Sequence, residues 1–401
     1  MITPSQLKRM PKTDLHVHLG GSIRLETLIE LAITEGVELP SFTVSELRES
    51  TFKSSYRNLE EYLEVFRYCG SVMQKFENLD RIAYELAVDN QNEGVRYMEV
   101  RFAPQRYAGG EMLLSDVFEA VDRGLGRAKA EFNRRDEVET GSEPPFEYGI
   151  IACAMRYFTG ESSLYFRRLL DVHRYSQEED IYGLASAELA RAAAYARSSQ
   201  IAQVVGIDLA GAEKGYPPGV HSEAYDIAGS NFLHKTVHAG EAYGPESIYQ
   251  AVTELGADRI GHGKSLFNPD AVSDPEIADK DQYIHDLVQY MADRRITVEV
   301  CLSSNMQTDP GIGVLKNHPF KLMLENRLSC TLCTDNRTVS NTTVTDEYIK
   351  ALNNFPISEW QLKNLVAYGF KRSFFPGTYR QKREYVKKCL DYYEKVMAGS
   401  A

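Results

Sequence analysis

Eight short apolar runs separated by longer stretches of helical periodicity constrain this chain more than any other feature: 12–18, 95–103, 148–155, 204–210, 235–240, 259–263, 297–303 and 329–334. They are continuous segments rich in Val, Ile, Met and Cys, not apolar–polar alternations. That is the pattern of parallel strands covered on both faces. Between them, 79–92, 115–134, 181–199 and 281–294 repeat their apolar positions with a helical period. Strands and helices alternating in this way predict an α/β fold, a closed (β/α)8 barrel of the TIM type. The Gly-x-Gly-x-x-Gly turn of an open dinucleotide-binding sheet is absent. The chain reads as a single barrel domain over 1–401 with additions. Residues 22–70, between the first two strands, are long enough for several helices that lid the barrel mouth. Residues 136–146 read as a surface loop, 264–280 as a polar insertion near the active face, and 379–396 as a C-terminal helix with a solvated basic face.

Composition narrows the partners. Apolar residues make up 43% and charged residues 25%, as expected for a chain with a real core. No run has the length of a membrane span, and 1–12 has no apolar signal-peptide centre, so cytoplasmic residence is expected. A net charge of −12 argues against a nucleic-acid duplex or an anionic membrane, though not against one small anion in a local pocket. The six cysteines are scattered rather than set as a disulfide framework. Cys330 and Cys333 have the spacing of a metal or redox pair, but on a strand i and i+3 face opposite ways, and no second pair follows.

The runs end in groups able to do chemistry, and in such barrels the C-terminal strand ends face the reaction site. His16 and His18 stand at i and i+2 and project from one strand face, where both can reach one metal ion. Thr236-Val237-His238-Ala239-Gly240-Glu241, Ile260-Gly261-His262-Gly263 and Cys333-Thr334-Asp335-Asn336 are apolar runs closing on His, Glu or Asp. Other ends carry Asp208 with Gly211, and Ser303 with Ser304. His16, His18, His238 and Asp335 supply the nitrogen and oxygen ligands that one catalytic Zn²⁺ ion takes, and such an ion turns water into a nucleophile near neutral pH. Glu241 can donate a proton, His262 can steer the nucleophile, and Asp335 can accept a proton from water. Taken singly, His262 could be structural, Glu241 could face a helix dipole, and Asp208 could satisfy rim amides.

As an ordered set, these segments, with 12–22, 205–211 and 299–305, resemble the adenosine deaminase family of the metal-dependent amidohydrolases, from residue 12 to about residue 348. The resemblance implies one zinc on His16, His18, His238 and Asp335, with Glu241 protonating the purine ring nitrogen and His262 orienting the nucleophile. It also implies a backbone contact from Gly211 to the purine. The binuclear relatives bridge two metals with a lysine at the end of strand four, where this chain has Gly206-Ile207-Asp208.

Two positions depart from the family, and both face substrate. Gly20 stands where relatives carry the carboxylate that contacts the ribose 5′-hydroxyl, which makes space and removes a negative charge. Asn336 stands where relatives carry a second aspartate donating to purine N7; an amide donates at any ordinary pH. The expected reaction is zinc-dependent hydrolytic deamination of the 6-amino group of a 5′-modified adenine nucleoside, such as cyclic AMP or aminodeoxyfutalosine. The alternatives are adenosine itself, with a neighbour replacing the lost contact, or a nucleoside-binding protein without catalysis, which would need neither Glu241 nor His262. Ser22, Lys53, Arg57 and Arg337 are candidates to receive an anion, and Tyr62 and Phe66 to pack over the ribose. The oligomeric state is left open.

Overall fold

The computed structural model describes residues 2–57 and 59–399. Eight parallel strands follow one another in chain order: β1 (Lys12–His18), β2 (Val95–Phe102), β3 (Glu147–Met155), β4 (Val204–Ala210), β5 (His234–Ala239), β6 (Arg259–His262), β7 (Thr297–Val300) and β8 (Ser329–Leu332). Nearly every strand residue is buried, which is why these stretches read as uninterrupted apolar runs. Beyond β8 the chain returns to β1. Asp335 N–H donates to His16 O at 2.8 Å and His18 N–H to Asp335 O at 2.7 Å. These bonds close the (β/α)8 barrel, and they flank three of the expected metal ligands.

The four expected helices form within a few residues of their predicted ends, as Phe76–Gln91, Leu114–Asn133, Glu178–Ser198 and Lys280–Arg294. The segment 22–70 folds into short helices, of which Leu59–Glu64 and Phe66–Ser71 carry residues that line the cavity at the barrel mouth. The loop 136–146 holds one helical turn, Asp136–Glu139. The insertion 264–280 begins as two 3-10 turns tied to the β5 loop by Ser265, whose N–H and Oγ donate to Gly240 O. Tyr379–Met397 is the C-terminal helix. No helix among the described residues is long and apolar enough to cross a membrane.

One strand ends early. β7 stops at Val300 rather than at 303, because the helix Leu302–Thr308 starts there, and the Glu347 carboxylate takes the Ser303 N–H at 3.1 Å at its N-terminus. That contact turns Ser303 away from the barrel mouth.

The helix Glu359–Arg372 packs across the β8–β1 seam with Gly369 against it. A Cβ there would lie 2.0 Å from Thr13 Oγ1 and 3.1 Å from Thr331 Oγ1. Gly369→Val should therefore push the helix off the seam. We expect a loss of about 1–3 kcal/mol and a thermal unfolding midpoint lower by roughly 1–4 °C; an unchanged midpoint would mean that the seam is not tightly packed.

Candidate active site

His16, His18, His238 and Asp335 converge at the C-terminal strand ends. Asp335 Oδ1 lies 3.3 Å from Nε2 of both His16 and His18, and His18 Nε2 lies 3.1 Å from His238 Nε2. Ligand atoms about 2.0–2.2 Å from one tetrahedral zinc stand about 3.3–3.6 Å apart, so the spacing fits such an ion. The donor chemistry fits too. Glu299 Oε2 takes His16 Nδ1 at 2.9 Å, and Asp208 takes His238 Nδ1 at 3.0 Å. Each imidazole thus turns an Nε2 lone pair inward, as a metal-bound histidine does when a carboxylate holds its other ring nitrogen. His16 Nε2 is buried and finds no hydrogen-bond partner among the described residues, as suits an atom that ligates a cation.

His262 also lies close; it forms with His16, His238 and Asp335 a set whose ligand atoms are all within 4.8 Å of one another. Its tautomer separates it from the ligands. The Phe320 N–H donates to His318 Nδ1 at 3.1 Å, leaving His318 Nε2–H to donate to Asn305 Oδ1 at 3.0 Å. The Asn305 amide then donates from Nδ2 to His262 Nδ1 at 3.0 Å. A backbone donor with no other option sets this chain of bonds, and its end is a His262 Nε2 that carries hydrogen. Burial holds the His262 imidazole well below its usual range, and it stays neutral. Its Nε2–H faces Glu241 Oε2 at 3.6 Å.

Glu241 is buried on the loop after β5, and burial, reinforced by the negative Asp335, pushes its carboxyl up to about 7. A carboxylic acid is thereby kept able to donate near neutral pH. Its loop is held by a residue that the sequence reading passed over. The Glu213 carboxylate accepts the consecutive N–H groups of Gly240, Glu241, Ala242 and Tyr243 at 2.6–3.0 Å, together with the Ser247 hydroxyl. His262 and Asp335 have φ of 65° and 58°, the left-handed region, so both side chains are aimed by backbone that most residues avoid.

The cavity in front of these groups is lined by His18, His238, Glu241, His262 and Asp335 at its floor and by Gly20, Gly211 and Asn336 at its wall. Leu59, Tyr62, Leu63 and Phe66 of the lid roof it. Gly211, at φ 109°, presents bare backbone to it. Asn336 Nδ2 donates to Tyr62 Oη at 2.7 Å, and its Oδ1 packs over Gly21, where a Cβ would come within 1.8 Å.

Several expected roles move. Asp208 does not line the cavity; it is fully buried and spends its oxygens on Arg101, at 3.0 Å, and His238. The anion candidates are committed elsewhere: Arg337 to Glu93, Lys53 and Arg57 to Glu61, and Ser22 Oγ to the Arg337 N–H. Arg106, just beyond β2, lines the cavity in their place. All six cysteines are free and buried.

Replacing the Glu213 carboxylate by an amide in Glu213→Gln sets an NH2 donor against backbone donors. Turnover should fall about 10- to 100-fold with metal content unchanged, read by steady-state kinetics beside metal analysis; equal losses of both would mark Glu213 as merely structural.

The adenosine deaminase family profile matches residues 11–389. Adenosine deaminase of Clostridium acetobutylicum is 31% identical over 92% of this chain and 94% of its own. That of Mycobacterium sp. strain JLS is 34% identical over 94% and 93%. Among solved structures, an Arabidopsis N6-mAMP deaminase superposes with a TM-score of 0.72 at 25% identity over 96% of this chain and 99% of its own. A Burkholderia ambifaria amidohydrolase with bound Zn shares the fold, with a TM-score of 0.76 at 18% identity over 100% and 96%. By sequence over nearly its whole length, and by its fold, this chain belongs to the adenosine deaminase family and is a metal-dependent hydrolytic deaminase.

Proposed function

We propose that the protein deaminates the 6-amino group of an adenine nucleoside modified at its 5′-position, cyclic AMP or aminodeoxyfutalosine among the candidates. The observation that carries the 5′ assignment is the wall at Gly20. Its Cβ direction meets only Tyr107 Oη at 3.4 Å, Met73 Sδ at 3.7 Å and the Phe66 ring at 4.0 Å. Among the described residues no carboxylate lines this side of the cavity to bind a free 5′-hydroxyl or to repel an anion. Related proteins handle nucleotides: Arabidopsis structures 25% identical to this chain are complexed with GMP and with IMP.

His16, His18, His238 and Asp335 would hold one zinc, which when bound lowers the pKa of water toward neutrality and supplies a nucleophile at working pH. Glu241 donates its proton to purine N1, which makes C6 electrophilic. The His262 Nε2–H donates to the incoming water oxygen and holds it toward C6, while Asp335 takes up the proton that water gives away. Water's oxygen bonds to C6, the proton taken up by Asp335 passes to N6 as the C6–N6 bond breaks and ammonia leaves, and the proton left on the C6 oxygen returns to the Glu241 carboxylate while N1 keeps the one it was given. The 6-oxo product remains. Gly211 meets the purine through its backbone, and the Asn336 amide hydrogen not used by Tyr62 is the donor for N7. Asp208 acts through His238 rather than on substrate.

Glu241→Gln keeps the shape but not the proton. Turnover should drop by at least about 10³-fold while purine binding and bound metal persist; substantial residual turnover would remove Glu241 as the donor. A panel of adenosine, adenine, AMP, cyclic AMP and aminodeoxyfutalosine, followed by ammonia release, should rank a 5′-modified nucleoside first. Gly20→Asp should shift the ranking toward adenosine by about tenfold, and an unchanged ranking would sink the 5′ assignment.

A further inference from the structure

The cavity continues past Gly20. Phe66 and Gly70 stand one turn apart on the lid helix Phe66–Ser71 and share one face. The Cβ direction of Gly20 ends against the Phe66 ring, and that of Gly70 ends 3.9 Å from Nη2 of Arg106. Gly20 and the Arg106 guanidinium therefore lie against the same face of this helix, one turn apart along it.

Arg106 lines the same cavity as Glu241 and Asp335, yet its guanidinium has no hydrogen bond or ion pair among the described residues. Partners are not scarce, since the chain has 57 acidic against 45 basic residues. Arg101 and Arg259 are each held by two carboxylates. On the outer side of Arg106 lie Lys53 and Arg67 with Glu61 and Glu64, and Glu61 is already held by Lys53 and Arg57. A half-buried guanidinium without a partner among the described residues thus stands between the reaction cavity and this outer pocket.

We propose that Arg106 is the receptor for an anionic group carried on the 5′-side of the substrate, a phosphate ester or a carboxylate. Its planar fork binds either through two parallel N–H···O bonds. The proposal rests on the 5′-modified nucleoside reading and narrows it to anionic substituents. Arg106 sets specificity and takes no part in the chemistry at C6.

The test is a matched substrate set: adenosine, the neutral 5′-O-methyladenosine, AMP, cyclic AMP and adenosine-5′-carboxylic acid. They are assayed with wild type, Arg106→Gln and Arg106→Lys. In wild type, kcat/KM for at least one anionic substrate should exceed that for 5′-O-methyladenosine by about tenfold or more, and the excess should shrink with salt. That ratio should fall about 10- to 100-fold in Arg106→Gln, mainly through KM, and recover in part in Arg106→Lys. Which anionic substrate leads separates monoester, cyclic diester and carboxylate. A wild-type ratio near one, or one indifferent to Arg106→Gln, overturns the subsite and leaves the 5′-modified reading standing. Adenosine outrunning every 5′-modified substrate overturns both.

Discussion

A buried ion network inside the barrel fixes the position of everything at its mouth. Arg101 binds Asp208 at 3.0 Å and Glu299 at 2.9 Å, while Arg259 binds Glu299 at 2.7 Å and pairs with Glu99. All five side chains are essentially inaccessible to water. Burial alone would raise the carboxyls, but His238 and Arg101 hold Asp208, and Arg101 and Arg259 hold Glu299, well below the usual range. Ionised groups in such a place persist only when each is matched in geometry as well as charge. Three carboxylates against two guanidiniums leave one negative charge, and Asp335 adds a second. A divalent cation among the histidines would bring the sum to zero. Asp208 and Glu299 end on the Nδ1 atoms of His238 and His16, so the network that balances the core also orients the ligands.

The same few ångströms must keep one acid protonated. Among the described residues no guanidinium is paired with Glu241, and burial and Asp335 push its carboxyl up to about 7. Ionised Asp335 and protonated Glu241 are two carboxyl groups driven apart by their surroundings, which is how a site obtains an acid and a base at one pH. Position is controlled separately from charge. The Glu213 clamp fixes the loop of Glu241, and the relay through His318 and Asn305 fixes the hydrogen on His262.

The strands were legible because burial on both faces leaves no polar alternation, and the ligands because they stand at the ends of those strands. The end of β7 was not, since nothing in Val300-Cys301-Leu302-Ser303 announces that Glu347, far along the chain, will start a helix there. Charges proved the least legible. Lys53, Arg57 and Arg337 looked free because their partners Glu61 and Glu93 are settled by packing, whereas Arg106 looked ordinary because an absent partner leaves no trace in sequence. Glu213 went unnoticed for a related reason: five donors converge on it only after the loop beyond β5 has folded. The left-handed backbone of His262 and Asp335 has no signature of its own beside a strand-like run.

The two departures from the family also bear on one another. Gly20 and Gly21 form the turn after β1, and Asn336 packs over Gly21 while reaching to Tyr62 Oη on the lid. An aspartate at 336 could donate to a purine only when protonated, and once ionised it could only accept from the Tyr62 hydroxyl, so the donors at this wall would vary with pH. The amide donates in both directions whatever the pH. It holds the roof down through Tyr62, which also meets Ser340 Oγ at 3.3 Å, and keeps one hydrogen for the cavity. On the proposed function, Gly20 gives up one anchor for the substrate, and a roof tethered by a group that does not titrate would keep the other contacts in register around the larger space.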